Sequence, residues 1–148
     1  MQLGEALGRL LKPPVVIELR SDLGGGKTTF TRGLVRGVGS TNPVSSPTFT
    51  ISKLYKTKTA QIHHYDFYRL PEPELVSDQL QECLQEPKAI VVVEWGEAVK
   101  DVLPENRITI EFKPTANNPD ERSIKISYPE SMSEVFQHLE TNWAESKS

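Results

Sequence analysis

The sequence is poor in the features that mark exported and membrane proteins. Only one of its 148 residues is a cysteine, Cys83, so no disulfide can form within the chain. It contains no apolar run of about 18 residues, which a membrane-spanning helix needs, and no charged-then-apolar opening segment typical of an export signal. We therefore expect a cytoplasmic protein that does not associate with a membrane.

An excess of positive charge is also missing. Seventeen Lys and Arg residues stand against twenty Asp and Glu residues, which gives a formal net charge of -3. Proteins that bind nucleic acids on their own place a cationic surface against the phosphate backbone. If RNA takes part in the function, we expect another protein to hold it.

The apolar residues that are present follow the pattern of a layered α/β fold. Two nearly continuous apolar runs, 15–19 and 89–93, are typical of parallel strands buried on both faces. Apolar residues at helical spacing predict four helices, which cover residues 3–11, 30–38, 75–84 and 132–143. Alternating apolar residues predict two strand pairs, over residues 48–68 and 108–128. Ser131 and Glu134 predict a capping box at the start of the last helix.

These elements predict one domain spanning residues 1–148, a length that can bury a core of its own. The expected fold class is α/β, a three-layer fold of the phosphate-loop (P-loop) NTPase type. Helices flank a central mixed, mainly parallel sheet, and an antiparallel hairpin forms an edge of that sheet.

A glycine-rich loop joins the first buried strand to the helix that follows it. Glycines let backbone N–H groups surround phosphates, and the helix N-terminus favours an anion. A following Lys reaches the β- and γ-phosphate oxygens, and the hydroxyl after it binds Mg²⁺. We therefore expect Lys27 to contact the phosphates, Thr28 to bind Mg²⁺, and Thr29 to support the loop or contact the α-phosphate. The glycines expected to line the loop are Gly24, Gly25 and Gly26.

The loop departs from the usual pattern at its first position. The motif G-x-x-x-x-G-K-[ST] begins with glycine, and Ser21 stands there in this chain. A side chain at a position that needs an unusual φ would perturb the turn and weaken nucleotide binding. The alternative to a phosphate site is a glycine-rich turn before a helix that binds no ligand.

Two acidic residues at strand ends are candidates to act with the loop. Glu94 directly follows the buried run 89–93. An acid in that place holds the metal through water or orients the attacking water. Asp66 lies in the strand-like run 61–68 and is the second candidate for either role. The alternative for Glu94 is a solvated acid at the end of a strand.

Four further residues lie next to these motifs. Trp95 follows the acid and is expected to cover the nucleotide, contact a partner or form a wall of the core. Thr48 follows a Ser-Pro pair on a rigid turn that could present its hydroxyl to the γ-phosphate. His63 and His64 alternate along a strand, so they cannot both bind one metal, and packing is the expected role of both.

Four blocks of the sequence occur together in the order of a known family. They are DLGGGKTTF at 22–30, SPTFT at 46–50, HYDFYRL at 64–70 and VEW at 93–95. With these blocks the chain resembles the bacterial TsaE family, also called YjeE, over almost its whole length.

The resemblance implies a small ATPase that binds ATP or ADP with Mg²⁺ and hydrolyses ATP slowly. It implies a role in the synthesis of threonylcarbamoyladenosine (t6A) in tRNA, together with the TsaB–TsaD pair. That pair transfers the threonylcarbamoyl group to adenosine 37 of tRNAs reading codons that begin with adenine, so this chain would meet tRNA only indirectly. For this sequence it implies nucleotide contacts from residues 24–29 and Trp95, metal contacts from Thr28 and Glu94, and roles near the γ-phosphate for Thr48 and Asp66.

Other expectations remain beside this one. Members of the family usually begin with an extra segment that helps enclose the base, and here the first helix starts near residue 3, so we expect a more open adenine side. A non-catalytic nucleotide-switch module is an alternative, favoured by Ser21 and by the absence of an obvious general base. A small-molecule kinase is a further alternative, although the chain shows no inserted lid-like segment carrying arginines.

Overall fold

The computed structural model describes residues 2–21, 26–41, 43–44, 52–68, 73–118 and 121–147, which contain six strands and four α-helices. The strands are β1 (Val15–Arg20), β2 (Ser52–Lys56), β3 (Gln61–Asp66), β4 (Ala89–Glu94), β5 (Ile108–Pro114) and β6 (Arg122–Ser127). The helices are α1 (Gln2–Leu10), α2 (Lys27–Val38), α3 (Pro73–Leu84) and α4 (Ser133–Lys147).

The strands form one mixed sheet in the order β2-β3-β4-β1-β5-β6. The four inner strands are parallel, and the edge strands β2 and β6 pair antiparallel with their neighbours. This confirms the predicted α/β class and the mainly parallel sheet. Both predicted strand pairs form hairpins at opposite edges of the sheet, and residues 48–51 of the first pair lie outside the described residues. The sheet therefore has an antiparallel strand at each end rather than at one.

Each face of the sheet carries its own apolar layer, because side chains alternate along a strand. One face packs against α1, α2 and α4, and the other packs against α3 and the 3₁₀ turn Gly96–Val99. All six residues of β4 are buried, as the continuous apolar run predicts. Among the described residues, no helix has both the length and the apolar character needed to cross a membrane.

The predicted capping box at the last helix is wrong. Ser131 lies inside a 3₁₀ turn, Glu130–Met132, and α4 begins only at Ser133. The Ser133 hydroxyl donates a hydrogen bond to the Glu130 carbonyl at 2.7 Å. The turn takes up the residues that the sequence pattern assigned to the first helical turn.

Helices α1 and α2 pack closely because glycines line their contact. A Cβ atom at Gly8 would lie 2.5 Å from the Leu34 carbonyl oxygen and 3.0 Å from the Gly37 Cα. A Cβ at Gly4 would meet the Phe30 carbonyl oxygen and lie 2.9 Å from the Leu34 nitrogen. These neighbours are backbone atoms, which cannot rotate away as a side chain can.

We expect Gly8→Ala to destabilise the protein by about 1 to 3 kcal/mol through overpacking. The better helix propensity of alanine, worth up to about 1 kcal/mol, offsets only part of this. The measurement is urea unfolding followed by circular dichroism. Arg9→Ala is the matched control, because it removes only an exposed ion pair with Glu5. A Gly8→Ala protein as stable as this control would contradict the close packing.

The single cysteine lies in the layer between the sheet and α3, where Cys83 is buried beside Tyr65. Burial raises the pKa of the Cys83 thiol from its ordinary 9.0 to about 11, and a hydrogen bond with Tyr65 opposes the rise in part. At pH 8 the thiolate fraction is then about 100-fold below that of a free thiol, and the thiolate is the reactive form. We expect a disulfide reagent such as DTNB to label the native protein at least about 100-fold more slowly than the urea-unfolded chain. Equal rates would contradict this.

Candidate nucleotide-binding site

The start of α2 and the ends of β3 and β4 converge on one face of the sheet. Asp66 and Glu94 are direct partners in the parallel register of β3 and β4. They continue the alternation of Ile62 and Val92, which pack in the same apolar cluster as α2. Both acids therefore lie at the carboxyl edge of the sheet on the side of α2, where ligands of parallel α/β sheets bind.

Lys27 is the first residue of α2 and is buried, with 7% of its surface exposed. Its Nζ donates a hydrogen bond to the Ser21 carbonyl oxygen at 3.2 Å, so the side chain reaches back to the end of β1. The ammonium also lies 4.2 Å from the centre of the Trp95 ring, a cation–π contact. Gly26 caps the helix with φ 98°, which favours glycine on conformational grounds alone, because a Cβ there would meet nothing within 4 Å.

Ser21 replaces the first glycine of the loop without a left-handed backbone. Among the described non-glycine residues, only Trp95 has a positive φ. The expected conflict between a side chain and an unusual φ at residue 21 therefore does not arise. The Ser21 carbonyl instead serves as the acceptor for Lys27.

Glu94 and His64 form a buried pair across two neighbouring strands. The His64 Nε2 and the Glu94 Oε2 lie 2.5 Å apart. His64 is fully buried and Glu94 is 3% exposed. Glu94 is therefore not a solvated acid at a strand end. The packing role expected for His64 is incomplete, because its ring also makes this polar contact.

The groups around Asp66 have opposing effects on the pKa of its carboxyl. Partial burial raises the pKa of its carboxyl, and the charge of Glu94 raises it further. The Tyr68 backbone N–H donates to Asp66 Oδ1 at 3.0 Å and lowers the pKa, as do His64 and Lys27. The groups acting on Asp66 are thus the predicted phosphate ligand, the predicted metal ligand and the buried histidine.

Trp95 has an unusual backbone and an aromatic neighbour. Its φ of 58° and ψ of 48° lie in the left-handed region, which a bulky residue rarely adopts. Its ring lies 4.9 Å from that of Tyr68, which is 43% exposed. The residue packs partly against the core, as one of its predicted roles requires, and its ring also contacts the Lys27 ammonium. Backbone strain of this kind is concentrated at functional sites.

The donor set fits a magnesium ion. Mg²⁺ prefers oxygen ligands and is usually held by one or two protein groups together with phosphates and water. The half-buried Thr28 hydroxyl and the Glu94 and Asp66 carboxylates supply such oxygens. The described residues hold no group of three or more His, Cys, Asp or Glu that could bind a metal ion by themselves.

Some predicted site residues fall outside the described part of the chain. These are Gly24, Gly25 and Thr48. Thr29 is exposed on the first turn of α2.

Beside Ser21, a cleft of 530 Å³ opens at the ends of β1 and β5, and it is lined by Arg20, Ser21 and residues 111–114.

Sequence reasoning missed a buried network on the opposite face of the sheet. The Glu18 carboxylate accepts hydrogen bonds from Arg107 Nε at 3.0 Å and from Arg20 at 3.1 Å. Arg107 also donates to the Pro104 carbonyl at 2.8 Å, and a Cβ at Gly96 would lie 2.9 Å from Glu18 Oε2. The network ties the segment after Trp95 to β1. The one charge within the apolar run 15–19 was the signal for it.

Comparison with known proteins identifies similar chains. The family model described as "Threonylcarbamoyl adenosine biosynthesis protein TsaE" matches residues 1–124. The tRNA threonylcarbamoyladenosine biosynthesis protein TsaE of Bacillus subtilis (strain 168) is 41% identical over 116 residues, which are 78% of this chain and 71% of that protein. The protein of the same name from Treponema pallidum (strain Nichols) is 37% identical over 122 residues, or 82% of this chain and 89% of that one.

A solved structure shows the same architecture. The crystal structure of Bacillus subtilis YdiB superposes with a TM-score of 0.77 and 29% sequence identity. The match covers 95% of this chain and 86% of that chain. The similarity therefore extends over the sheet and its flanking helices.

Proposed function

Because the chain belongs to the TsaE family, whose named members act in the biosynthesis of threonylcarbamoyladenosine in tRNA, we propose that it is the ATP-hydrolysing subunit of that process. In this proposal it binds ATP or ADP with Mg²⁺ in the cytoplasm and hydrolyses ATP to ADP and phosphate. The family places the chain in t6A biosynthesis. The proposed hydrolysis of ATP is argued from the arrangement of Lys27, Asp66 and Glu94.

The observation that supports hydrolysis is the grouping of one buried cation and two carboxylates at one edge of the sheet. Lys27 opens α2, and its charge acts on Asp66, the direct strand partner of Glu94. A phosphate group brings negative charge that a buried ammonium and a helix N-terminus can compensate. The carboxylates are suited to the metal and to the attacking water.

Each residue then has a defined task. Lys27 binds the β- and γ-phosphates through Nζ, exchanging the Ser21 carbonyl for phosphate oxygens. Thr28 and Glu94 hold Mg²⁺, which when bound neutralises charge on the β- and γ-phosphates. Asp66 or Glu94 orients the water that attacks the γ-phosphorus. Thr48 offers a hydroxyl near the γ-phosphate, and Gly24, Gly25, Gly26 and Thr29 belong to the loop around the phosphates.

The nucleoside end of ATP is proposed to occupy the cleft beside Ser21. The cleft next to Ser21 has a volume within the range of ordinary small-molecule sites. The Trp95 ring lies against the Lys27 ammonium, which is largely buried.

The proposed partners are the TsaB–TsaD pair, which carries out the transfer to adenosine 37 of tRNAs reading codons that begin with adenine. The net charge of -3 agrees with indirect contact with tRNA. Segments that contact the γ-phosphate and Mg²⁺ lose those contacts after hydrolysis, which would change the affinity for the partners.

The test is phosphate release from Mg-ATP by the purified chain, alone and with the TsaB–TsaD pair. We expect slow release alone and faster release with the partners. Bound nucleotide without release in either case would replace the ATPase by a nucleotide-switch module. Transfer of phosphate to an added nucleoside would instead indicate a kinase.

A further inference from the structure

We propose that His64 is a positioning residue whose Nε2–H orients the Glu94 carboxylate for metal and nucleotide binding. The inference rests on the proposed function, since it gives Glu94 a task with Mg²⁺. His64 itself contacts neither nucleotide nor metal in this proposal.

The geometry of the pair carries the argument. The 2.5 Å contact joins His64 Nε2 to one oxygen of a carboxylate that is 3% exposed. Both residues stand on inner, parallel strands, with His64 opposite Val92 and Asp66 opposite Glu94. Side chains on such strands are held more precisely than side chains on loops. The Glu94 carboxylate therefore has a hydrogen-bond donor, His64 Nε2–H, whose position is set by the inner strand β3.

The hydrogen-bond partners of the His64 ring indicate which of its nitrogens carries the proton. An ionised carboxylate only accepts hydrogen bonds, so the proton of a neutral His64 ring lies on Nε2. Nδ1 is buried and has no hydrogen-bond partner among the described residues. An apolar side chain would leave no such unsatisfied nitrogen, so packing alone does not favour histidine here. The polar function of the ring is directed at Glu94.

The position relative to the other site residues agrees with this role. His64, Asp66 and Glu94 share the α2 face of the sheet, and Asp66 is the direct strand partner of Glu94. His63 points to the other face and bonds weakly to Gln61 at 3.4 Å. Of the two histidines, only the second belongs to the site.

The experiment compares variants that keep or remove the donor. His64→Gln places an amide N–H near the position of Nε2, whereas His64→Asn places it near Nδ1, where it cannot reach Glu94. His64→Leu removes it. His63→Leu is the matched control on the opposite face. The main readout is Mn²⁺ binding to the protein with ADP, measured by electron paramagnetic resonance, with metal-free ADP binding and thermal unfolding as companions.

Loss of a group that orients a metal ligand usually weakens metal binding by about 10- to 100-fold. We expect that loss in His64→Leu and His64→Asn, near-normal binding in His64→Gln and His63→Leu, and unchanged ADP binding without metal. Because Asn and Gln are both polar and differ in reach, their comparison stands even where the leucine variant does not fold.

Equal Mn²⁺ binding by His64→Gln and His64→Asn would overturn the inference and leave the proposed function intact. A wild-type chain that neither binds Mn²⁺ with ADP nor releases phosphate from Mg-ATP would overturn both. Phosphate release by the wild type therefore distinguishes failure of the inference about His64 from failure of the proposed function.

Discussion

Lys27→Ala should reduce nucleotide affinity by about 30- to several-thousand-fold, which corresponds to about 2 to 5 kcal/mol. Lys27 is the buried cation at the start of α2, and its Nζ is held between the Ser21 carbonyl and the Trp95 ring. Its removal would leave phosphate oxygens without their charged donor in a site shielded from solvent. Binding of a fluorescent ADP analogue measures the loss directly.

The matched control for this variant is Lys88→Ala. Lys88 is exposed and directly precedes β4, at the opposite end of that strand from Glu94. The Lys88→Ala variant should bind nucleotide with the affinity of the wild type. Normal hydrolysis by Lys27→Ala would refute the assignment of the phosphate loop.

Glu94→Gln should lower the rate of ATP hydrolysis by about 100-fold or more. The amide keeps the size of the side chain and an oxygen that can accept from His64, but it removes the charge. Metal-free ADP binding should change little, because Lys27 is intact. The measurement is phosphate release as a function of Mg²⁺ concentration.

Glu97→Gln is the control, since it neutralises an exposed acid only three residues away. A Glu94→Gln enzyme with normal turnover would exclude Glu94 from both metal binding and water orientation. In that case Asp66→Asn becomes the decisive variant for the water-orienting role.

Much of the fold follows from local patterns in the sequence. The apolar runs at 15–19 and 89–93 are buried inner strands, and the alternating segments are the two edge hairpins. Asp66 and Glu94 were expected at strand ends, and the structure makes them direct neighbours. The loop and its helix are recognisable because glycine, lysine and threonine follow a buried strand.

Contacts between distant segments could not be predicted in this way. Alternation places His64 and Asp66 on one face, but only the pairing of β3 with β4 brings His64 to Glu94. The bond between Glu18 and Arg107 joins residues 89 positions apart. Trp95 adopts a left-handed backbone, which no local preference of tryptophan favours.

The position of β1 between β4 and β5 has a consequence for the growing chain. Residues 21–38, with the phosphate loop, are synthesised early, but the neighbours of β1 begin only at Ala89 and Ile108. A nascent chain that ends before residue 94 has its lysine and lacks Glu94. The pairing of β1 with β4 and β5 therefore depends on contacts between residues far apart in the sequence, and such contacts form slowly. If the proposed function holds, the complete set of Lys27, Asp66 and Glu94 is assembled only when the polypeptide has been synthesised well beyond residue 94.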